Sequence, residues 1–175
     1  MAGRRGQIAA MPRHCPAPLP LLDLALPDAA ATDAFAERLA PLLRGGDALL
    51  LTGSLGAGKT QLARAIIQTL QAAHGTPEDV PSPTYTLVQE YQAGALHIVH
   101  ADLYRLAGPG EATELALDDL WDTALCLIEW PDRLGDAAPR DALHVTLAQD
   151  GEGRRLVLSS ANDGWAARLK SLAPC

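Results

Sequence analysis

Aromatic residues are scarce in this chain of 175 residues, at 4% of the total. The core must therefore be built from Ala, Leu, Val and Ile, which carry most of the 48% hydrophobic content. Lysine is scarcer still: Lys59 and Lys170 stand against twelve arginines. Positive charge is short overall, because 14 Lys and Arg face 21 Asp and Glu, giving a net charge of −7. That balance argues against a broad phosphate-binding surface for RNA or DNA, whose affinity rests on clustered cations. Any link to nucleic acid is expected to run through a protein partner. The three cysteines, Cys15, Cys126 and Cys175, form no CxxC and cannot all pair, which fits a reduced cytoplasm. No apolar run approaches the ~18 residues of a membrane-spanning helix. Arg4 and Arg5 are followed by no apolar signal core. A cytoplasmic protein with no membrane contact is expected.

What is present begins with a proline-rich stretch. Pro12, Pro16, Pro18 and Pro20 predict a disordered extension over residues 1–20, within which Met11 offers an alternative start. Residues 21–175 read as one domain, long enough to bury a core. Leu21–Leu26 reads as a strand. Asp28 or Asp33 starts a helix whose face carries Phe35, Leu39, Leu42 and Leu43. Tyr85–Tyr91 and Ala95–His100, joined through Gly94, read as a β-hairpin. A turn and helix are expected over Gly108–Trp121 and a buried strand over Ala124–Ile128. Two strands, Leu143–Ala148 and Arg154–Ser159, and a final helix from Asp163 to Leu172 complete the chain.

The chain is organised around Gly53-Ser54-Leu55-Gly56-Ala57-Gly58-Lys59-Thr60, which fits the pattern of Gly, four residues, Gly, Lys and Ser/Thr. A short apolar strand, Asp47–Thr52, precedes it. A helix with Leu62, Ala65, Ile66 and Leu70 on one face follows it. Strand, glycine loop and helix in that order are the context this motif needs. Its glycines free the backbone so that successive N–H groups can face one anion. The helix N-terminus adds its positive dipole end. Lys59 suits the β- and γ-phosphates of a nucleotide such as ATP, and the Thr60 hydroxyl suits Mg²⁺.

A phosphate loop binds; hydrolysis or transfer also needs a metal-side carboxylate and a group that orients the nucleophile. Asp102 and Glu129 each end an apolar strand, where ligands of open α/β sheets gather. Read alone, each is better explained as a helix cap or a solvated turn. Ser82-Pro83-Thr84-Tyr85-Thr86 places hydroxyls on a proline-stiffened loop suited to sensing a γ-phosphate, or forms an ordinary turn.

Four blocks in order carry a resemblance: Leu55–Thr60; Ser82–Val88 with Glu90-Tyr91; His100-Ala101-Asp102-Leu103-Tyr104-Arg105-Leu106; and Ile128-Glu129-Trp130-Pro131. Together they resemble the bacterial TsaE (YjeE) family, the ATPase of tRNA threonylcarbamoyl-adenosine synthesis, over about Leu24 to Leu158. The resemblance implies an α/β P-loop NTPase fold with a mixed, mostly parallel central sheet flanked by helices and carrying the β-hairpin as an insertion. It implies ATP and Mg²⁺ as ligands and slow ATP hydrolysis by the isolated protein. It also implies work with a TsaB–TsaD heterodimer, which modifies the adenosine beside the anticodon of ANN-decoding tRNAs and holds the tRNA itself. By this likeness Gly53 to Thr60 cradle phosphate, and Thr60, Asp102 and Glu129 face the metal. Lys59, Asp102 and Glu129 are the catalytic set, with Glu129 orienting the attacking water. Ser82 and Thr84 lie in a switch-like loop, and Trp130 forms part of a partner- or nucleotide-facing wall. Adenine contacts fall near Pro27-Asp28-Ala29 and at Arg154 or Arg155.

The chain departs from the family's habit at Ser54, commonly Asp, and at Gln61, commonly Thr. It also lacks the glycine usual after the leucine of Glu114-Leu115-Ala116-Leu117-Asp118. Two other classes compete on the phosphate loop alone. A small-molecule kinase would need an arginine lid, for which Arg133 and Arg140 are the nearby candidates, and an acceptor pocket. A non-enzymatic switch would need only ATP-dependent partner affinity.

Overall fold

The computed structural model describes residues 20–172. In chain order it contains β1 (Pro20–Leu26), α1 (Ala29–Leu39), β2 (Ala48–Thr52), α2 (Lys59–Ala72), β3 (Val88–Ala93) and β4 (Leu96–Asp102). Then follow α3 (Pro109–Thr113), β5 (Leu125–Glu129), β6 (Leu143–Asp150), β7 (Gly153–Ser159) and α4 (Asp163–Arg168). The strands form one sheet in the order β1-β7-β6-β2-β5-β4-β3. β6, β2, β5 and β4 pair in parallel, while the β1–β7, β7–β6 and β4–β3 pairs are antiparallel. Only β7 and β3 run against the common direction. This is the mixed central sheet that the family resemblance implies.

Side-chain alternation along the strands explains the two cores. In β2, Leu49 and Leu51 face a layer containing Phe35 and Leu39 of α1, Leu62, Ile66 and Ile67 of α2, and Trp165 of α4. Ala48 and Leu50 face the opposite layer, with Ala112 of α3, Leu117 and Leu134. β5 divides likewise: Leu125 and Leu127 turn to the first layer, Cys126 and Ile128 to the second. β2 and β5 are buried along nearly their whole length, as strands covered on both faces must be, so they read as continuous apolar runs. Asp28 caps α1 by accepting a hydrogen bond from the Ala31 amide at 2.8 Å, a contact worth about 1 kcal/mol.

Several local expectations need correction. Tyr85–Leu87 is a turn, so β3 starts only at Val88: Leu87 takes a left-handed φ of 65°, and its amide donates to the Pro83 carbonyl at 2.7 Å. The hairpin also belongs to the sheet itself, because β4 lies parallel to β5 while β3 forms the edge. The helix expected after a turn within Gly108–Trp121 is broken into α3 and a 3-10 turn at Leu117–Leu120 by Ala116, whose φ of 49° is left-handed. The final helix holds to Arg168 and then tightens to a 3-10 turn. Pro20 already belongs to β1; the rest of the predicted extension lies outside the described residues.

Candidate active site

The glycine loop leaves the carboxyl end of β2 and closes onto the N-terminus of α2. Gly58 is the N-cap of α2 with a φ of 101°, a conformation that costs a side-chain-bearing residue about 1–2 kcal/mol. At Gly53 space is the constraint: a Cβ there would stand 2.4 Å from the Leu147 carbonyl oxygen of β6. The loop is braced from the far strand pair as well. Arg154 of β7 donates from Nε to the Ala57 carbonyl at 3.0 Å and from Nη2 to the Gly56 carbonyl at 3.2 Å.

Lys59 is buried at 4% exposure. Its ammonium donates to the carbonyls of Gly53 and Ser54, each at 2.9 Å, and lies 4.1 Å from the centre of the Trp130 ring. Burial lowers its pKa from the ordinary lysine value, while the carboxylates of Glu129 and Asp102 pull the other way. Trp130 has a left-handed φ of 59°, its amide N–H donates a hydrogen bond to the Leu51 carbonyl at 3.3 Å, and its ring packs on Tyr104 at 4.9 Å.

The period of two delivers the carboxylates. Glu129 continues the Leu125 and Leu127 face of β5, and Asp102 continues the Ile98 face of β4, so both emerge beside the start of α2. The two residues are also direct partners in the β4–β5 ladder. Thr60 donates to Glu129 Oε2 at 3.0 Å, and His100 Nε2 meets Glu129 Oε1 at 2.9 Å. Asp102 accepts from the Thr84 hydroxyl at 2.6 Å and from the Tyr104 amide at 3.0 Å. Thr84 is in turn 2.8 Å from the Ser82 hydroxyl, so the loop expected to sense a phosphate is tied to Asp102.

These groups line one cleft of about 340 Å³, with Gly56, Lys59, Thr60, Ser82, Thr84, Asp102, Glu129 and Trp130 in its wall, and Leu55, Gly58, Gln61 and Tyr104 beside them. Gly53, Ser54 and Ala57 belong to the same loop but do not line this cleft. Ala29 and Arg154 line a second hollow of about 190 Å³ on the other side of Gly58, together with Asp28, Ala57 and Glu152. Arg155 instead pairs with Asp23 across β1 and β7 at 2.6 Å. Gln61, the departure after Thr60, donates to the Ala29 carbonyl at 3.1 Å and to Asp33 at 3.2 Å, and so ties α2 to α1. Arg133 and Arg140 do not line the cleft.

The donor set fits a hard divalent cation. Thr60, Asp102 and Glu129 bring oxygen atoms to one wall, and Mg²⁺ commonly takes one or two carboxylates, leaving its other positions to phosphate and water. Among the described residues no cluster of three or more His, Cys, Asp or Glu forms a complete cage, and such an ion does not need one. His100 is the site residue that sequence reasoning missed. Its signal was present: two residues before Asp102 on the same strand, it shares that carboxylate's face.

Among the described residues no helix is long and apolar enough to cross a membrane. The family model for the threonylcarbamoyl adenosine biosynthesis protein TsaE matches residues 26–157. The TsaE protein of Bacillus subtilis is 33% identical over 131 residues, covering 74% of this chain and 79% of the relative. That of Rickettsia felis is 36% identical over 141 residues, covering 81% of each. The crystal structure of Bacillus subtilis YdiB superposes with a TM-score of 0.71 at 26% identity, covering 86% of this chain and 93% of that one. A phosphate loop, two ladder-paired carboxylates and a hydroxyl-bearing loop at the carboxyl ends of neighbouring strands thus coincide with a match over most of the sequence: the chain belongs to the TsaE family.

Proposed function

We propose that this protein is an ATP hydrolase serving the threonylcarbamoylation of tRNA adenosine, acting on a TsaB–TsaD-type protein pair rather than on the tRNA. The family match supports the pathway, since its relatives are named for threonylcarbamoyladenosine biosynthesis. The observation that carries the hydrolase reading is the convergence of Lys59, Thr60, Asp102 and Glu129 on one cleft at the mouth of the glycine loop. The net charge of −7 supports a protein that leaves tRNA binding to its partners.

The reaction is in-line attack of water on the γ-phosphorus of ATP. The new O–P bond forms as the bond to the ADP oxygen breaks, and the proton of the attacking water leaves with phosphate. The Gly53–Thr60 loop would cradle the phosphates, with Leu55, Gly56 and Gly58 bringing its backbone to the cleft wall. Lys59 exchanges its two carbonyl partners for phosphate oxygens, which its long stem permits without moving the backbone. Thr60, Asp102 and Glu129 would hold Mg²⁺, which when bound neutralises charge on the phosphates. Glu129 orients the water, and Thr84 with Ser82 couples the γ-phosphate side of the cleft to Asp102. Ala29 and Arg154 flank the hollow assigned to the adenine side.

Phosphate release from ATP and Mg²⁺, with and without a TsaB–TsaD pair from the same source, tests the reading. Slow release alone, raised by the pair, is expected. Glu129→Ala is expected to lower release about 100-fold or more while ATP still binds. Loss of ATP binding in that variant would show that Glu129 serves binding instead. Release indifferent to the pair would remove the partner assignment.

A further inference from the structure

Glu129 is 2% exposed and receives hydrogen bonds on both oxygens, from two different elements. Oε2 takes the Thr60 hydroxyl from the first turn of α2. Oε1 takes His100 Nε2 from β4, at 2.9 Å, with His100 fully buried. In the parallel ladder His100 pairs with Leu127 and Asp102 with Glu129, so the imidazole reaches the carboxylate on the diagonal, from beneath the cleft. A carboxylate can only accept, so the proton of this bond sits on Nε2. His100 does not line the cleft, and its Nδ1 has no hydrogen-bond partner among the described residues.

A histidine serving only as filler would leave two buried ring nitrogens to satisfy, each costing about 1–3 kcal/mol when unpaired. Here one nitrogen stays unpaired and the other is committed to the carboxylate. Two donors from separate elements fix the plane of the Glu129 carboxylate, which one donor alone would leave free to turn. We infer that His100 is a positioning residue: through Nε2 it holds Glu129 in the orientation needed to direct the attacking water. The inference rests on the hydrolase reading of the preceding subsection and extends it to a residue outside the cleft wall.

The test compares His100→Gln, whose amide nitrogen can take the place of Nε2, with His100→Leu, which fills space without a donor. Steady-state kcat and KM for ATP, ADP affinity and melting temperature are measured on the full chain, together with ¹⁵N NMR of the histidine rings. His100→Leu should lower kcat about 10–100-fold while His100→Gln stays within about 3-fold of the parent, with ADP affinity in both changed by less than about 3-fold. The His100 ring should show the Nε2–H tautomer, and Glu129→Ala should shift its Nε2 resonance. Equal kcat in the two variants, or a loss that follows melting temperature alone, would overturn the positioning role. If His100→Leu does not fold, an Nε2 resonance unmoved by Glu129→Ala would overturn it. If the parent hydrolyses no ATP, the hydrolase reading falls, while the same resonance still decides whether His100 holds Glu129.

Discussion

Lys59 carries a cost that its position makes visible. Burial lowers its pKa in the folded protein, against the attraction of Glu129 and Asp102. Between that lowered value and the ordinary ~10.4 of an unfolded lysine, the unfolded chain binds more protons, so stability rises with pH through that window. Below that window the charged ammonium is a net burden on the fold. Lys59→Met is therefore expected to raise the melting temperature at pH 7 and to flatten the rise in stability toward alkaline pH, read by thermal melts in a pH series. A parent protein whose melting temperature does not climb on the alkaline side would refute this. At this scale the sequence announced much of the site, because glycine, lysine and threonine spacing encodes backbone geometry directly. Asp102 and Glu129 were legible because each ends an apolar strand. The His100–Glu129 pairing was not, since it depends on β4 and β5 being neighbours, and strand order leaves no local mark.

Elements were legible where the pattern was long and misread where a single backbone angle decides. The buried strands β2 and β5 and the helix α2 fall where apolar runs and helical spacing put them. The helix expected after Gly108 fails at Ala116, which takes a φ of 49°. Nothing in the helical spacing of Leu115, Leu117 and Leu120 signals that break. Alanine pays about 1–2 kcal/mol for a left-handed backbone, while glycine there loses some of the gain to its freer unfolded chain. Ala116→Gly is expected to stabilise the protein by about 0.5–1 kcal/mol, measured by urea unfolding. Destabilisation would mean that the Ala116 methyl contributes packing that outweighs the strain.

Across the whole molecule, the site draws on both ends of the described chain. β1 pairs with β7, and β7 carries Arg154, whose guanidinium braces the carbonyls of Gly56 and Ala57. Arg154→Ala is expected to weaken ADP binding about 10-fold by loosening the loop, at a stability cost of about 1 kcal/mol, read by calorimetric titration and melting. Unchanged affinity would confine Arg154 to structural support of β7. The same bond has a consequence for the order in which the protein is made. Arg154 follows Ala57 by 97 residues, so the glycine loop leaves the ribosome roughly 5–20 s before the strand that braces it. A growing chain thus carries the whole phosphate motif long before it has a finished pocket. The ability to hold a nucleotide should arrive late in synthesis, with the closing of the sheet's far edge.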